Sequence, residues 1–397
     1  MTPVLLVKNV RPMGQDPVDV LVRNGFIHQM APGIELGAES ATVIEGHHQL
    51  LLPGLVNAHA HMDKNLLGYP WFRNEIPAAT IDDFVNTERR VQRELDISVQ
   101  TQAMRQAEVA IASGTTHIRS HIDVDTGVGL VNWEGALAMR EAYNDRLTIQ
   151  LIAFPQGGML VRPGSVELLE EAVRMGADGI GGLDPSTVDR DPVRHLDAIF
   201  GIADRYDVEV DIHLHEPGTL GAFAVELIAE RTRALSLQGR VTISHVFCLG
   251  MIDDAYLNRI IDLLLANEIT IMSLGSGRSP FPPLKRLYEA GVSLCTGTDG
   301  IRDTWGPYNT VDMLDRVRLL GYRSNFRQDK DVEMLLKIAT YGGAKVMGDD
   351  QYGLAVGKRA DFVILPSDTP TEAVMNRPPR SHVIQNGRLV ATEGKLL

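Results

Sequence analysis

Two imidazoles spaced as His59-Ala60-His61 close the apolar run Leu51 to Ala58, and Met62-Asp63-Lys64 follows directly. In a strand, alternate side chains share a face, so His59 and His61 point one way and Ala60 the other. A divalent ion with nitrogen ligands takes three or four such groups and keeps a position open for water. His-x-His alone is short and common, so the remaining ligands must come from elsewhere in the chain. His213 and Asp299 are the candidates, giving three imidazoles and one carboxylate. His215 lies on the same face as His213 by alternation, and His213 is preferred because it sits deeper in its strand. Glu216, three residues after His213, is placed as a proton shuttle rather than a ligand. Asp299 can ligate and also accept the proton of the attacking water, while His245 can polarise the electrophile or orient the hydroxide. Taken singly, Glu216 reads as a surface carboxylate and His245 as a core histidine bonded to backbone. The chemical reading rests on their meeting in one place.

The elements that must bring them together alternate between strand and helix. Strands are expected at 53–59, 115–123, 147–154, 179–183, 208–215, 241–246, 269–274 and 292–299. Helical patterns fall between most of them, at 133–144, 165–175, 192–206, 219–235 and 253–266, and a long Glu-, Arg- and Gln-rich pattern at 80–112 reads as a solvated outer helix. Eight strands in about 250 residues is the count and size of a (β/α)8 TIM barrel, whose chemistry sits at the C-terminal ends of its strands. Those ends carry His59 and His61, His121 and Asp123, Gln156, Asp184, His213 and Glu216, His245 and Asp299. A doubly wound sheet would want an early glycine-rich phosphate loop, which is absent. The two ends of the chain read differently, as short strands with hairpin turns such as Arg23-Asn24-Gly25 and Asn386-Gly387. Neither end can bury a sheet alone, so the termini are expected to form one small β-sandwich. This gives an α/β chain with residues 1–52 and 349–397 as the two parts of the sandwich and 53–348 as the catalytic barrel.

Composition narrows the partners. With 44% hydrophobic and 22% charged residues the chain is an ordinary globular one. A formal charge of −13 with no basic stripe disfavours a nucleic acid polymer, and no apolar run is long enough for a membrane span. Met1 to Lys8 lack the order of a signal peptide, and Cys248 and Cys295 are the only cysteines, so a cytoplasmic location is expected. No lysine lies between Lys64 and Lys285, which removes a carbamylated lysine as a bridge between two metals and leaves only Asp184 as a weak substitute. One metal ion is therefore expected. Phe154 and Trp305 fall beside strand ends and could flank a planar ring.

These stretches carry a resemblance. The Leu-Pro-Gly-Leu-Val-Asn-Ala-His-Ala-His-Met-Asp entry at 52–63 and the late Thr296-Gly297-Thr298-Asp299 look like the amidohydrolase superfamily. His117 to Val124, Ala153-Phe154-Pro155-Gln156-Gly157-Gly158, His213-Leu214-His215-Glu216, Ser244-His245 and the tail Gly353 to Asp361 are more narrowly similar to bacterial cytosine deaminases. The resemblance implies one Fe(II) or Zn(II) on His59, His61, His213 and Asp299, with Glu216 carrying a proton to a ring nitrogen and His245 beside the metal-bound water. It also implies Gln156 on the ring amide edge, Trp305 as the family tryptophan, and a homo-oligomer. Two positions depart from the pattern. Gly300 stands where those enzymes carry a second aspartate, and His215 stands where they carry aspartate before the catalytic glutamate. Glycine at 300 is expected to open space for a substituent absent from plain cytosine, and Lys64 could contact a carbonyl or an anionic group.

The expected activity is hydrolytic deamination of a free pyrimidine-type or related nitrogen heterocycle, cytosine or a substituted cytosine, with metal-bound hydroxide attacking the amine-bearing carbon. The alternatives are release of an alkylamine from an N-alkyl-s-triazine of the N-isopropylammelide type, or opening of a cyclic amide by the same attack. A catalytically inactive scaffold barrel is a more remote reading, against which the intact Glu216, His245 and Asp299 speak.

Overall fold

All eight expected barrel strands form: β1 (Leu55–Ala60), β2 (Thr115–Asp123), β3 (Thr148–Phe154), β4 (Gly179–Leu183), β5 (Glu209–Leu214), β6 (Val241–His245), β7 (Thr270–Met272) and β8 (Leu294–Cys295). The computed structural model describes residues 4–37, 40–75, 80–277, 280–308 and 310–397, so Met1–Pro3 of the stretch compared with a signal peptide lie outside it. The strands pair in parallel and in chain order. β2, β5 and β6 are buried along almost their whole length, as parallel strands covered on both faces are. Register places strand ends level, with Asp123 opposite Phe154 and Leu214 opposite His245. Level ends are what gather the reactive residues at one mouth.

The barrel closes through side chain as well as backbone. A parallel bridge joins Ala60 to Asp299, and the Asp299 amide donates to the His59 carbonyl at 2.8 Å. β8 is shorter than the expected 292–299 because its continuation pairs differently. The Thr298 amide donates to Asn57 Oδ1 (3.0 Å), and Asn57 Nδ2 donates to Thr298 Oγ1 (2.8 Å). An added Cβ at Gly297 would overlap the His59 backbone, so glycine permits this close approach.

The termini build one hydrogen-bonded sheet system. Leu5–Pro12 pairs with Val18–Arg23, and the latter with Phe26–Ala31. The first half of Leu5–Pro12 also runs parallel to Thr42–Glu45, and its second half to Leu50–Pro53. Leu50–Pro53 then pairs antiparallel with Phe362–Leu365 from the far end of the chain, followed by His382–Gln385 and Arg388–Thr392. Leu5, Val7, Val20, Phe362, Ile364 and Ile384 share its core. His117 of β2 ties it to the barrel through Asp349 (2.9 Å), which also receives Arg359.

The pattern at 80–112 is corrected. It forms two helices, α1 (Ile81–Glu94) and α2 (Val99–Ala112), with Thr80 and Asp83 as a capping box on the first and Ser98 capping the second. Asp96 between them takes a left-handed conformation that ends the first helix. α2 packs Ala103, Ala107 and Ile111 into the core. Nor is α1 a solvated outer helix: Val85, Glu88, Arg89 and Val91 are buried, and Ile81 and Phe84 help to wall the cavity at the barrel mouth. Among the described residues no helix is long and apolar enough to cross a membrane.

Candidate metal centre and substrate cavity

The ends of β1, β5, β6 and β8 converge on one cluster. His59 and His61 stand on β1 and just after it, His213 on β5, His245 at the end of β6, and Asp299 just past β8. His61 Nε2 lies 3.4 Å from His213 Nε2 and 3.2 Å from Asp299 Oδ1, and His59 Nε2 is 3.7 Å from the same oxygen. Two donors each about 2.1 Å from a shared tetrahedral ion stand about 3.4 Å apart. The spacing therefore fits the donors of a single cation. His59 Nε2 is buried with no hydrogen-bond partner, an orphan that a cation would satisfy. The four residues expected as ligands are brought together.

Electrostatics agree with that use. Burial pushes His59 and His213 well below the usual imidazole range, with neighbouring histidines adding to the effect. Burial and Lys64 lower His61, and burial and His215 bring His245 to about 3. Neutral imidazoles keep the lone pairs a metal needs. Burial alone would raise Asp299, but its hydrogen bond from His61 and the nearby histidines hold it well below the carboxylate range. Behind His59, Nδ1 meets Ser244 Oγ at 3.1 Å, and that hydroxyl donates to Asp211 Oδ1 at 2.7 Å. Such outer partners fix ring orientation and tautomer. His245 and Asp299 both have positive φ, 71° and 63°, a backbone conformation costly for side-chain-bearing residues.

A cavity of about 860 Å³ opens over the cluster. His61, His213, His245 and Asp299 form its floor, and Lys64, Phe154, Gln156, Gly300 and Trp305 all line it. Phe154 stacks on the His213 ring at 4.1 Å, while Trp305 stacks on Phe84 of α1 at 4.8 Å. Glu216 is placed differently. It is not on the cavity wall; its Oε1 accepts the amides of Ser186 (2.6 Å) and Thr187 (2.7 Å), and its Oε2 is buried without a partner. Burial pushes its carboxyl up. His215 does line the cavity, held by Asp184 at 2.8 Å and stacked on His245 at 4.4 Å. Asp184 thus serves His215.

The space expected beside Gly300 is corrected. A Cβ there would overlap Asp303 Oδ2, so a carboxylate from three residues later already fills it. Burial raises Asp303 to about 6.

The sequence reading also missed a polar wall. Glu88 of α1, 2% exposed, accepts Gln156 Nε2 (2.9 Å) and Trp305 Nε1 (2.6 Å), and lies 3.9 Å from Lys64 Nζ. Lys64 in turn donates to Gln156 Oε1. Burial lowers Lys64, but Glu88, Asp63 and Asp123 outweigh it and leave the ammonium above its ordinary value. Next to Glu88, Arg89 bonds Asp123 (3.0 Å) and Asp125 (2.6 Å), fastening the helix to β2.

The family description "Amidohydrolase family" matches residues 93–391. The chain belongs to the amidohydrolase family. This amidohydrolase is 30% identical over 396 residues to N-isopropylammelide isopropyl amidohydrolase of Pseudomonas sp. (strain ADP), covering 94% of this chain and 98% of that one. Its structure superposes on N-isopropylammelide isopropylaminohydrolase from Burkholderia multivorans with TM-score 0.96 and 39% identity, all of both chains being covered. It also superposes on 5-methylcytosine deaminase from Klebsiella pneumoniae liganded with 5-fluorocytosine, with TM-score 0.85, 26% identity and 97% of each chain. Membership makes the protein a metal-dependent hydrolase of carbon–nitrogen bonds, with relatives among aminohydrolases and deaminases.

Proposed function

We propose that this amidohydrolase releases an amine from a ring carbon of a free, oxo-substituted nitrogen heterocycle, and that the amine carries an alkyl group. One observation carries the reading: beside four convergent ligands lies a cavity of about 860 Å³ whose walls include Phe154, Leu183, Leu274 and Phe247. That is ample for a ring plus an apolar arm. The full-length likeness to N-isopropylammelide aminohydrolases supports it. Release of ammonia from cytosine or a substituted cytosine is the second reading, supported by the likeness to 5-methylcytosine deaminase.

His59, His61, His213 and Asp299 would hold one divalent ion, iron or zinc. When bound, such an ion lowers the pKa of water and supplies a nucleophile near neutral pH. The protein's own groups then do the rest. Lys64 and Gln156 hold a ring oxygen and the adjoining N–H, while Trp305 and Phe154 confine the ring plane. His245, neutral, accepts a hydrogen bond from the attacking water and aims it. Asp299 accepts the proton that water loses. Glu216, its pKa raised by burial, is suited to give its proton to the ring nitrogen once its unpartnered Oε2 turns from behind the wall into the cavity, and to take back the proton of the new hydroxyl. Asp299 hands the water's proton to the departing amine. A C–O bond forms, the exocyclic C–N bond breaks, and the amine leaves neutral.

The test is product analysis on Fe(II)- and Zn(II)-loaded protein with cytosine, 5-methylcytosine and hydroxytriazines bearing amino or isopropylamino groups. Isopropylamine as the released product, abolished by chelator, is expected. Ammonia alone would move the assignment to the second reading.

A further inference from the structure

We propose that Glu88, on a helix outside the barrel, is a positioning residue that decides which hydrogen-bonding face Gln156 turns to the substrate. The chemistry of its neighbours forces the orientation. A carboxylate only accepts, so Gln156 must turn its nitrogen to Glu88; an ammonium only donates, so Gln156 must turn its oxygen to Lys64. Both contacts are made, at 2.9 Å to Glu88 Oε1 and directly from Lys64 Nζ. The other oxygen of Glu88 takes the Trp305 indole N–H at 2.6 Å, so one buried group sets both a polar and an aromatic wall.

What remains free on that wall selects the ring edge. Lys64 and the second N–H of Gln156 can donate, and Gln156 Oε1 retains one acceptor lone pair. The matching edge is a lactam, a ring carbonyl beside a ring N–H. Isosteric Glu88→Gln has one acceptor and one donor where the carboxylate has two acceptors. If its oxygen keeps Trp305, its amide N–H must face Gln156, which then flips and sets its own nitrogen against Lys64. The lactam edge loses its acceptor.

Glu88 also reports on itself. Burial raises its carboxyl to about 7, against the pull of Lys64 and with Asp63 and Asp123 adding to the rise. The charged groups around this wall are Lys64, Asp63, Asp123 and, facing Lys64, Asp303. Trp305 is one of three tryptophans, so 5-fluorotryptophan labelling gives a short spectrum, assigned with Trp305→Phe.

The proposal rests on the heterocycle reading only for its kinetic arm. In the 19F spectrum without substrate, the Trp305 resonance is expected to titrate near pH 7 in the parent and to lose that step in Glu88→Gln, with Trp71 and Trp133 unmoved. On a lactam-edged ring, Glu88→Gln should raise KM about tenfold or more while kcat stays within about threefold, one hydrogen bond's worth of ground-state binding. A Trp305 titration that survives Glu88→Gln would belong to Asp123 or Asp303 and would overturn the proposal, as would a fall in kcat with KM unchanged. If the parent turns over none of the rings, the function assignment fails while the spectrum still decides the role of Glu88.

Discussion

Asp303 fills the space that Gly300 leaves. Its Oδ1 accepts the amide of Trp305 at 2.8 Å, and its Oδ2 lies where a side chain on residue 300 would begin. An aspartate at 300 therefore competes with Asp303 for one position. We expect Gly300→Asp alone to lower kcat/KM about tenfold or more and to lower Tm, because two carboxylates would be buried together. Gly300→Asp with Asp303→Gly should recover much of the stability and shift preference toward rings that lose ammonia. Steady-state kinetics on amine- and ammonia-releasing substrates, with thermal melts, read this out. Unchanged preference and Tm in the single variant would remove the competition between the two sites.

The Ser244–Asp211 pair behind His59 predicts a metal phenotype without touching a ligand. Asp211→Asn should weaken metal affinity about 10–100-fold, the usual consequence of loosening a ligand's outer partner. Competition with a calibrated chelator measures it. His213→Ala, which removes one of the proposed ligands, should leave little metal after dialysis.

Glu216 is the sharper test of mechanism. Glu216→Gln preserves shape and the amide bonds from Ser186 and Thr187, but it cannot carry a proton. A kcat loss of about 10²–10⁴-fold with unchanged metal content is expected of a lost proton shuttle. Activity within a few-fold of the parent would reduce Glu216 to a loop anchor.

These residues differ in how far sequence could expose them. The convergence of His59, His61, His213 and Asp299 was legible because each falls at or near the end of an expected strand, and strand pairing then levels those ends. The short β8 was not legible, because an asparagine side chain, Asn57, stands in for ladder bonds. Asp303 was hidden because no local pattern shows that a side chain three residues on will fill a glycine's space. Glu88 was hidden inside the Glu-, Arg- and Gln-rich pattern at 80–112 that reads as solvated. Yet Ile81, Phe84, Val85 and Glu88 repeat at helical spacing, so a carboxylate on the inward stripe was a sign of a buried polar role.

Asp349 offers a pH test away from the site. Burial would raise its carboxyl, but hydrogen bonds from His117 and Arg359 outweigh that and hold it well below the usual range. A depressed carboxylate stabilises the fold above its unfolded value of 3.8 and loses that contribution as pH falls below it. Asp349→Asn should therefore cost about 1–3 kcal/mol at pH 7, as expected for breaking buried charged hydrogen bonds. The gap should close below about pH 4. Urea unfolding at pH 7 and at acid pH checks both the size and the closing of the gap.

The pairing of Leu50–Pro53 with Phe362–Leu365 has a consequence for synthesis. At about 5–20 residues per second, the first strand waits roughly 15–60 s for its neighbour to leave the ribosome. Throughout that time Leu50, Leu51 and Leu52 sit at an open sheet edge, beside a barrel whose first strand begins at Leu55. The nascent chain is thus most exposed to aggregation and to chaperone capture at its beginning, and Phe362–Leu365, made late, is the strand that ends the exposure.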